Sequence, residues 1–405
     1  MKGWTMKTLR TLVAPLGGAT MALVLACTDG AVVNPITASR SGVPFAAGLA
    51  SPEWQDTAAS LVAQARFSPQ AAGHAYALLG VAQYLAVQRA EGAAGGGGGR
   101  SRFEADRGAV AGASVVVLSD LFPNQAAMLA NLVVKQSDSH PAFAAGETIG
   151  RSVGGEIVTR AHNDGFSRPF TGTIPSGPGL WISNTNPPTM VAGQLPGVTP
   201  WFLASADQFR PAPPPAFGSA AFQAAVDEIQ AFSDTRTAEQ TQIAAFWAMN
   251  PGTSTPPGFW LKIATDGIAS HELSERDATH LYALLGSAIF DALISCWDAK
   301  ETYWFIRPWQ ADTSITVVAA VGKPNHPSYP SGHGCVSGAA ATVLGGFFPG
   351  QRANFDAIAA EAGVSRLYAG IHYRFDVETG LQMGRSVAAF AMAADASGGS
   401  VLTPR

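Results

Sequence analysis

Charge is scarce in this chain. Asp, Glu, Lys and Arg make up 13% of its 405 residues and leave a formal net charge of −4. Average soluble chains carry about 25% charged residues. With 47% apolar residues, so little charge excludes a disordered chain, which needs low hydrophobicity and high net charge. No basic excess is present to match a phosphate backbone, so no nucleic-acid partner is expected. Cysteine is almost absent as well. Three cysteines cannot build a disulfide framework or a four-thiolate zinc site. Past the N-terminus the chain has no uninterrupted apolar run of about 18 residues, the length a membrane-crossing helix requires. β-rich stretches are few, with residues 314–321 the one strand candidate. Ala, Gly and Pro are abundant but follow no strict period, which excludes collagen and solenoid architectures.

At the N-terminus, Lys2, Lys7 and Arg10 precede an apolar stretch, 12–26, that ends in Val24-Leu25-Ala26-Cys27. Residues 1–27 therefore read as an export signal. The Ala-Cys end resembles a bacterial lipoprotein box, in which Cys27 carries lipid and becomes the mature N-terminus; simple secretion and an uncleaved anchor are the alternatives. The expected location is the bacterial cell envelope or periplasm, with membrane contact only through lipid on Cys27. Residues 28–50 read as a tether and 51–405 as a single helical domain. Helical spacing covers 54–88, 109–134, 144–162, 219–232, 238–249, 260–268, 276–305 and 335–347. The five glycines at 95–99 mark a loop and not a phosphate cradle, because no strand precedes them and no GK[ST] follows. Residues 164–216 are dense in Pro and Gly. Trp181, Trp201 and Phe202 predict an ordered loop wrapping the helical body. The fold class is all-α, with a bundle-like core.

Three clusters near the C-terminus carry chemistry. In the first, Lys300 and Arg307-Pro308 lie seven apart, a spacing of two helical turns that puts both cations on one helix face. A point charge and a planar fork can then converge on an anion. The second is His326-Pro-Ser-Tyr-Pro-Ser331-Gly332-His333, a turn leading into an apolar helix. Ser331, the Gly332 amide and His333 thus sit at a helix N-terminus, where free N–H groups favour anions. In the third, Ser365-Arg366 is followed by His372 and Asp376, four apart. On a helix, Asp376 would fix one ring nitrogen of His372 and leave the other free as nucleophile or ligand. Taken singly, each cluster has an ordinary reading: a solvated helix face, an N-cap serine, a structural His–Asp bond. Together they suit a tetrahedral oxyanion bonded to one histidine.

The pattern Lys-x6-Arg-Pro, Pro-Ser-Gly-His and Ser-Arg-x5-His-x3-Asp resembles the superfamily of type 2 phosphatidic acid phosphatases and vanadium haloperoxidases, with every specified position present. Flanking stretches after about residue 190 are similar to bacterial vanadium haloperoxidase-like proteins. The resemblance implies an active site within 291–385 and vanadate as cofactor. Lys300, Arg307, Ser331, Gly332 and Arg366 would hold the oxyanion, and His372 would be the vanadium ligand. His333 would serve as acid–base, Asp376 would orient His372, and Lys300 would activate peroxide. The implied function is a haloperoxidase acting on hydrogen peroxide and halide. His326 stands where family bromoperoxidases carry His, which points to bromide or iodide over chloride. Ile306 departs from the Trp usual before that Arg in haloperoxidases. The alternative is an exported acid phosphatase that hydrolyses phosphate esters through a phosphohistidine on His372. A homo-oligomer is compatible with either. Cys296 and Cys335 flank the motifs and read equally as a disulfide or as two buried thiols. His74, His140, His162, His271 and His280 fit no motif.

Overall fold

A computed structural model of the chain describes residues 48–93, 99–137 and 140–403. The export segment with Cys27, nearly all of the tether and most of the glycine run lie outside the described residues. Within them run thirteen helices: α1 (Ser51–Gln64), α2 (Pro69–Ala93), α3 (Arg100–Leu121), α4 (Ala126–Gln136), α5 (Pro141–Asn163), α6 (Ala220–Thr235), α7 (Ala238–Phe246), α8 (Thr255–Ser270), α9 (Glu275–Tyr303), α10 (Pro308–Ala311), α11 (Gly332–Phe347), α12 (Arg352–Tyr368) and α13 (Arg374–Ala396). The fold is all-α, as the sequence pattern predicts.

Local chemistry explains most boundaries. Ser219 and Ser274 cap α6 and α9 by accepting the amides of Phe222 and Asp277. The stretch 54–88 is two helices and not one. Arg66 adopts φ +53°, which ends the first, and Pro69 opens the second at a position where its missing N–H costs nothing. The stretch 109–134 is likewise broken, at Phe122-Pro123. The strand candidate 314–321 is irregular. Its Thr316 amide is held by the Ser233 hydroxyl and its Thr316 carbonyl by Arg236, and among the described residues only isolated β-bridges occur.

The longest helix, α9, runs through the centre. It is apolar and long enough to cross a membrane, a case that scanning for uninterrupted apolar runs passes over, yet 94% of its apolar window is buried inside the protein. On it pack α2, α11 and α13. The long loop 164–219 is strapped to the same helix. Buried Asp291 accepts the amides of Trp201 and Phe202 at 2.8 Å, and that of Leu203 at 3.3 Å. Asp298 holds the Arg210 guanidinium at two points, 2.7 Å each. Trp181 and Trp201 are buried beneath the loop. Side chains of α9 thus pair part of the loop's backbone where no helix or sheet does.

Two helices approach unusually closely. A Cβ on Gly338 of α11 would lie 2.3 Å from the Leu381 carbonyl oxygen, and one on Gly384 of α13 would lie 2.1 Å from that of Cys335. Only glycine permits this contact. It brings the start of α11 against the start of α13, where the Ser331 amide donates to the Asp376 carbonyl at 2.9 Å.

Candidate active site

The three motifs meet at the ends of helices, by a route that differs from the one their spacing suggests. Lys300 and Arg307 do not share two turns of one helix. α9 stops at Tyr303, Trp304 turns left-handed (φ +46°), and Arg307 precedes α10 with extended backbone. Pro308 disfavours helical geometry at Arg307. His372 and Asp376 do not lie along a helix face either. His372 sits in the link between α12 and α13, and Asp376 reaches back to it from the first turn of α13. Ser331 does cap α11, its hydroxyl accepting the Gly334 amide.

The polar geometry assigns the protons. Asp376 Oδ2 receives His372 Nδ1 at 2.9 Å, the Ser328 hydroxyl at 2.6 Å and the Tyr373 amide at 3.1 Å. Nδ1 therefore carries the ring proton. Arg307 Nη1, which can only donate, lies 3.1 Å from Nε2, so Nε2 presents its lone pair. Burial, then the charges of Arg307 and Lys300, hold the His372 pKa well below its ordinary value, and the ring stays neutral. Burial raises Asp376 to about 6, against the opposing pull of Ser328 and the Tyr373 amide.

Arg307 also donates to the carbonyls of Ile371 (2.6 Å) and His326 (3.0 Å), and to His326 Nδ1 at 3.0 Å. That last bond makes Nδ1 an acceptor, so its 3.2 Å approach to the Pro327 carbonyl is not a hydrogen bond. His333 donates from Nε2 to the Trp247 carbonyl at 2.8 Å, which leaves Nδ1 bare. Burial, then Arg366, keep His333 neutral as well.

Lys300, Arg307 and Arg366 are almost completely buried. Desolvation lowers Lys300 to about 8 and the two arginines to about 9 each. Arg366 donates to the Ser365 hydroxyl and the Ala244 carbonyl, with no carboxylate in contact among the described residues. Against these three cations the site holds one carboxylate, Asp376, which interacts with Lys300 and Arg307. Buried charge in such excess calls for an anion.

A cavity of about 480 Å³ opens over this floor, lined by His326, Gly332, His333, Arg366 and His372. Lys300, Arg307, Ser331 and Asp376 lie behind that lining. Lys300 gives its three N–H donors to the carbonyls of Pro327, Ser328 and Pro330, and so braces the loop that carries the second motif. Among the described residues no cluster of three His, Cys, Asp or Glu could cage a metal cation. One unprotonated imidazole nitrogen, held only by an arginine N–H among cations, suits a metal held as an oxyanion.

Sequence reasoning missed Ser328, the Trp247 carbonyl and Trp297, whose ring lies 5.0 Å from that of His326. A backbone carbonyl leaves no mark in a sequence, and nothing in the motif distinguishes Ser328 from other serines. Ile306, which departs from the Trp usual before this Arg in haloperoxidases, is buried, and the ring of Trp309 lies 5.4 Å from the Arg307 guanidinium. Cys296 and Cys335 are buried, unbridged thiols.

Residues 279–396 match the model of the PAP2 superfamily. A non-specific acid phosphatase from Providencia stuartii is 30% identical over 130 residues, 29% of this chain; the match spans about half, 51%, of that relative's length. The crystal structure of a bacterial vanadium-dependent iodoperoxidase superposes with a TM-score of 0.71 at 25% identity, covering 85% of this chain and 96% of that one. The holo form of a bacterial vanadium-dependent chloroperoxidase gives 0.64 at 17% identity, over 81% and 92%, a likeness of fold alone. The likeness to the PAP2 superfamily thus lies in residues 279–396, and the chain has the fold of the vanadium-dependent haloperoxidases.

Proposed function

We propose that the protein is a vanadate-dependent haloperoxidase that oxidises bromide or iodide, in preference to chloride, with hydrogen peroxide. The observation that carries this reading is the unprotonated Nε2 of His372, capped by Arg307, at the floor of a cavity lined by Arg366 and backed by Lys300 and Arg307, all three buried cations. The likeness to the iodoperoxidase over most of both chains favours it. In this reading residues 51–405 act as one domain, and the protein is exported to the cell envelope.

The residues fit the cofactor. His372 Nε2 would bind the metal, Arg307, Arg366 and the Gly332 amide would hold its oxygens, and Ser331 and Lys300 would support them. When bound, vanadate supplies a Lewis acid that activates peroxide without changing oxidation state. The chain's own groups do the rest. Asp376 keeps the proton on Nδ1, so that Nε2 is always the free nitrogen. Arg307, which caps that lone pair, would transfer its N–H to an incoming oxygen. The bare Nδ1 of His333 would take a proton from peroxide. An oxyanion beside Arg366 offsets the positive charge that contributes to depressing His333 and makes its protonated form accessible. His326, on Arg307 and the cavity wall, would face the halide.

A second reading, a phosphatase, is favoured by the stretch shared with the acid phosphatase. His372 Nε2 would then attack phosphorus, and His333 would protonate the leaving oxygen. The deciding experiment is bromide oxidation by peroxide on protein stripped of bound oxyanion, before and after adding orthovanadate. Activity is expected only with orthovanadate, and His372→Ala is expected to lose both activity and vanadate retention. Full activity in that variant removes His372 from the site. Phosphate-ester hydrolysis that vanadate inhibits, without halide oxidation, selects the phosphatase.

A further inference from the structure

The short helix α7 belongs to none of the three motifs and precedes the matched stretch 279–396. Its C-terminal end nevertheless touches two groups of the site. The Ala244 carbonyl accepts Arg366 Nη2 at 2.9 Å, and the carbonyl of Trp247, the C-cap residue, accepts His333 Nε2 at 2.8 Å. Carbonyls at a helix C-terminus lack partners within the helix and carry the negative end of its dipole, so they suit donors that are, or become, cationic. Where these two carbonyls lie depends on how α7 is held. The Trp247 ring is 1% exposed and packs against Phe246 and Phe259, with ring centroids 5.5 and 4.9 Å away. Its indole N–H donates to Glu361 Oε1 at 2.9 Å. Glu361 lies on α12, the helix that also carries Arg366. So α12 grips the end of α7 at two points, through Arg366 and through Glu361, and α7 in turn holds His333 of α11.

We propose that Glu361 and Trp247 are positioning residues for His333: the Glu361 carboxylate fixes the Trp247 indole, and the Trp247 carbonyl thereby keeps the ring proton on His333 Nε2 and leaves Nδ1 for the reaction. The inference rests on the reading of His333 as acid–base, which the haloperoxidase and the phosphatase readings share, and adds to it two residues outside the motifs. Glu361 does not line the cavity, so its effect passes through α7. A carboxylate is a stronger acceptor than a neutral oxygen, which makes it a firm anchor for the indole. A general base acts only within hydrogen-bond reach of the proton it takes, and a ring free to swing spends part of its time outside that reach. The same carbonyl acts again once Nδ1 has taken a proton. A charged donor bonds more strongly than a neutral one, so the Trp247 carbonyl favours the imidazolium and opposes part of the effect of burial on His333.

Two variants of the full chain separate position from general stability. Glu361→Gln keeps an acceptor oxygen for the indole, and Glu361→Leu removes it. The first readout is the nitrogen–proton correlation spectrum of the imidazoles, where a ring N–H held in a hydrogen bond gives a signal. That of His333 is the signal missing in His333→Ala. It is expected to persist in Glu361→Gln and to vanish in Glu361→Leu through exchange with water. The His74 signal, from its bond to Asp164 at 2.7 Å, should stay in both and shows that each variant is folded. Trp247→Phe, which drops the indole N–H, should match Glu361→Leu and replaces it if that variant does not fold. The second readout is bromide oxidation after loading with orthovanadate. Glu361→Leu should lose about tenfold, part of the roughly 100-fold or more that a general base contributes, and Glu361→Gln should stay within about twofold of the parent. If the parent shows no halide oxidation, the haloperoxidase reading falls, and phosphate-ester hydrolysis takes its place in the same comparison. A parent without the His333 signal, a signal that survives in Glu361→Leu, or a Gln variant as impaired as the Leu variant overturns the present inference alone. If the signal vanishes while activity is unchanged, the acid–base reading of His333 falls and the inference falls with it.

Discussion

Asp376 shows how one side chain sets the working range of the site. It must be a carboxylate to hold the proton on His372 Nδ1, yet burial raises its pKa to about 6. Below that value the acid form no longer fixes the tautomer, so activity should fall about tenfold per pH unit on the acid side of 6. Asp376→Asn should lose about 10–100-fold and no longer show that limb in its pH profile; an unchanged limb would assign the titration to another group. For stability the sign is the opposite. A raised carboxyl pKa contributes stability below pH 3.8 that is lost as the pH rises through about 6, because the folded state binds the extra proton. Arg366 makes the complementary case. It is 1% exposed, without a carboxylate partner among the described residues. Arg366→Met should raise the melting temperature of the oxyanion-free protein by a few degrees, since it removes an uncompensated buried charge. The same change should weaken binding of inorganic phosphate by about tenfold or more. Phosphate affinity equal to that of the parent would take Arg366 out of the oxyanion site.

Among the elements, the α11–α13 contact governs the site because it sets the distance from the Ser331–His333 turn to Asp376. Gly384→Ala places a methyl on the Cys335 carbonyl, at 2.1 Å before relaxation. It should cost about 1–3 kcal/mol of stability and, by shifting the two helix starts apart, weaken phosphate binding. Gly146→Ala is the control. Its Cβ would meet the Ala105 carbonyl at 2.0 Å in the α3–α5 contact, away from the cavity. It should cost similar stability and leave phosphate binding unchanged. Equal losses of binding in both would show that general destabilisation, and not register at the site, is what matters. Gly334/Gly338 and Gly380/Gly384, each pair four apart, make this packing, and the spacing was not read from the sequence. The existence of α1–α9 and α11 was legible from periodicity, whereas α12, α13 and the breaks at Arg66 and at Phe122-Pro123 were not read. A single left-handed residue, or one proline, interrupts an apolar pattern without changing its period.

Across the whole molecule, the fold maintains a buried electropositive centre within a chain of net charge −4. Burial lowers Lys300 from 10.5 to about 8. Between those values the folded state binds fewer protons than the unfolded one, so stability from this group rises with pH. It is fully present above 10.5 and lost as the pH falls through about 8. A bound anion relieves that loss, so the rise in melting temperature caused by inorganic phosphate should be larger at pH 7 than at pH 9.5. An increment independent of pH would mean that Lys300 does not sense the anion.

By itself the sequence determined the class of the fold and named the candidates for the site. Apolar spacing at three and four residues specifies helices, and Lys300, Arg307, Ser331, Gly332, His333, Arg366, His372 and Asp376 stand in three short motifs whose chemistry converges on an oxyanion. Only the tertiary structure decided how they meet. Spacing along one helix suggested Lys300 beside Arg307 and His372 above Asp376. The reversal at Trp304, the link after Gly370 and the glycine contact of α11 with α13 produce those meetings instead. Tertiary structure also decided which nitrogen of His372 is unprotonated, where the three protons of Lys300 go, and which apolar side chains surround the cavity. These depend on backbone carbonyls and on side chains from segments 20 to more than 200 residues apart, and spacing along the chain encodes only contacts within a few turns.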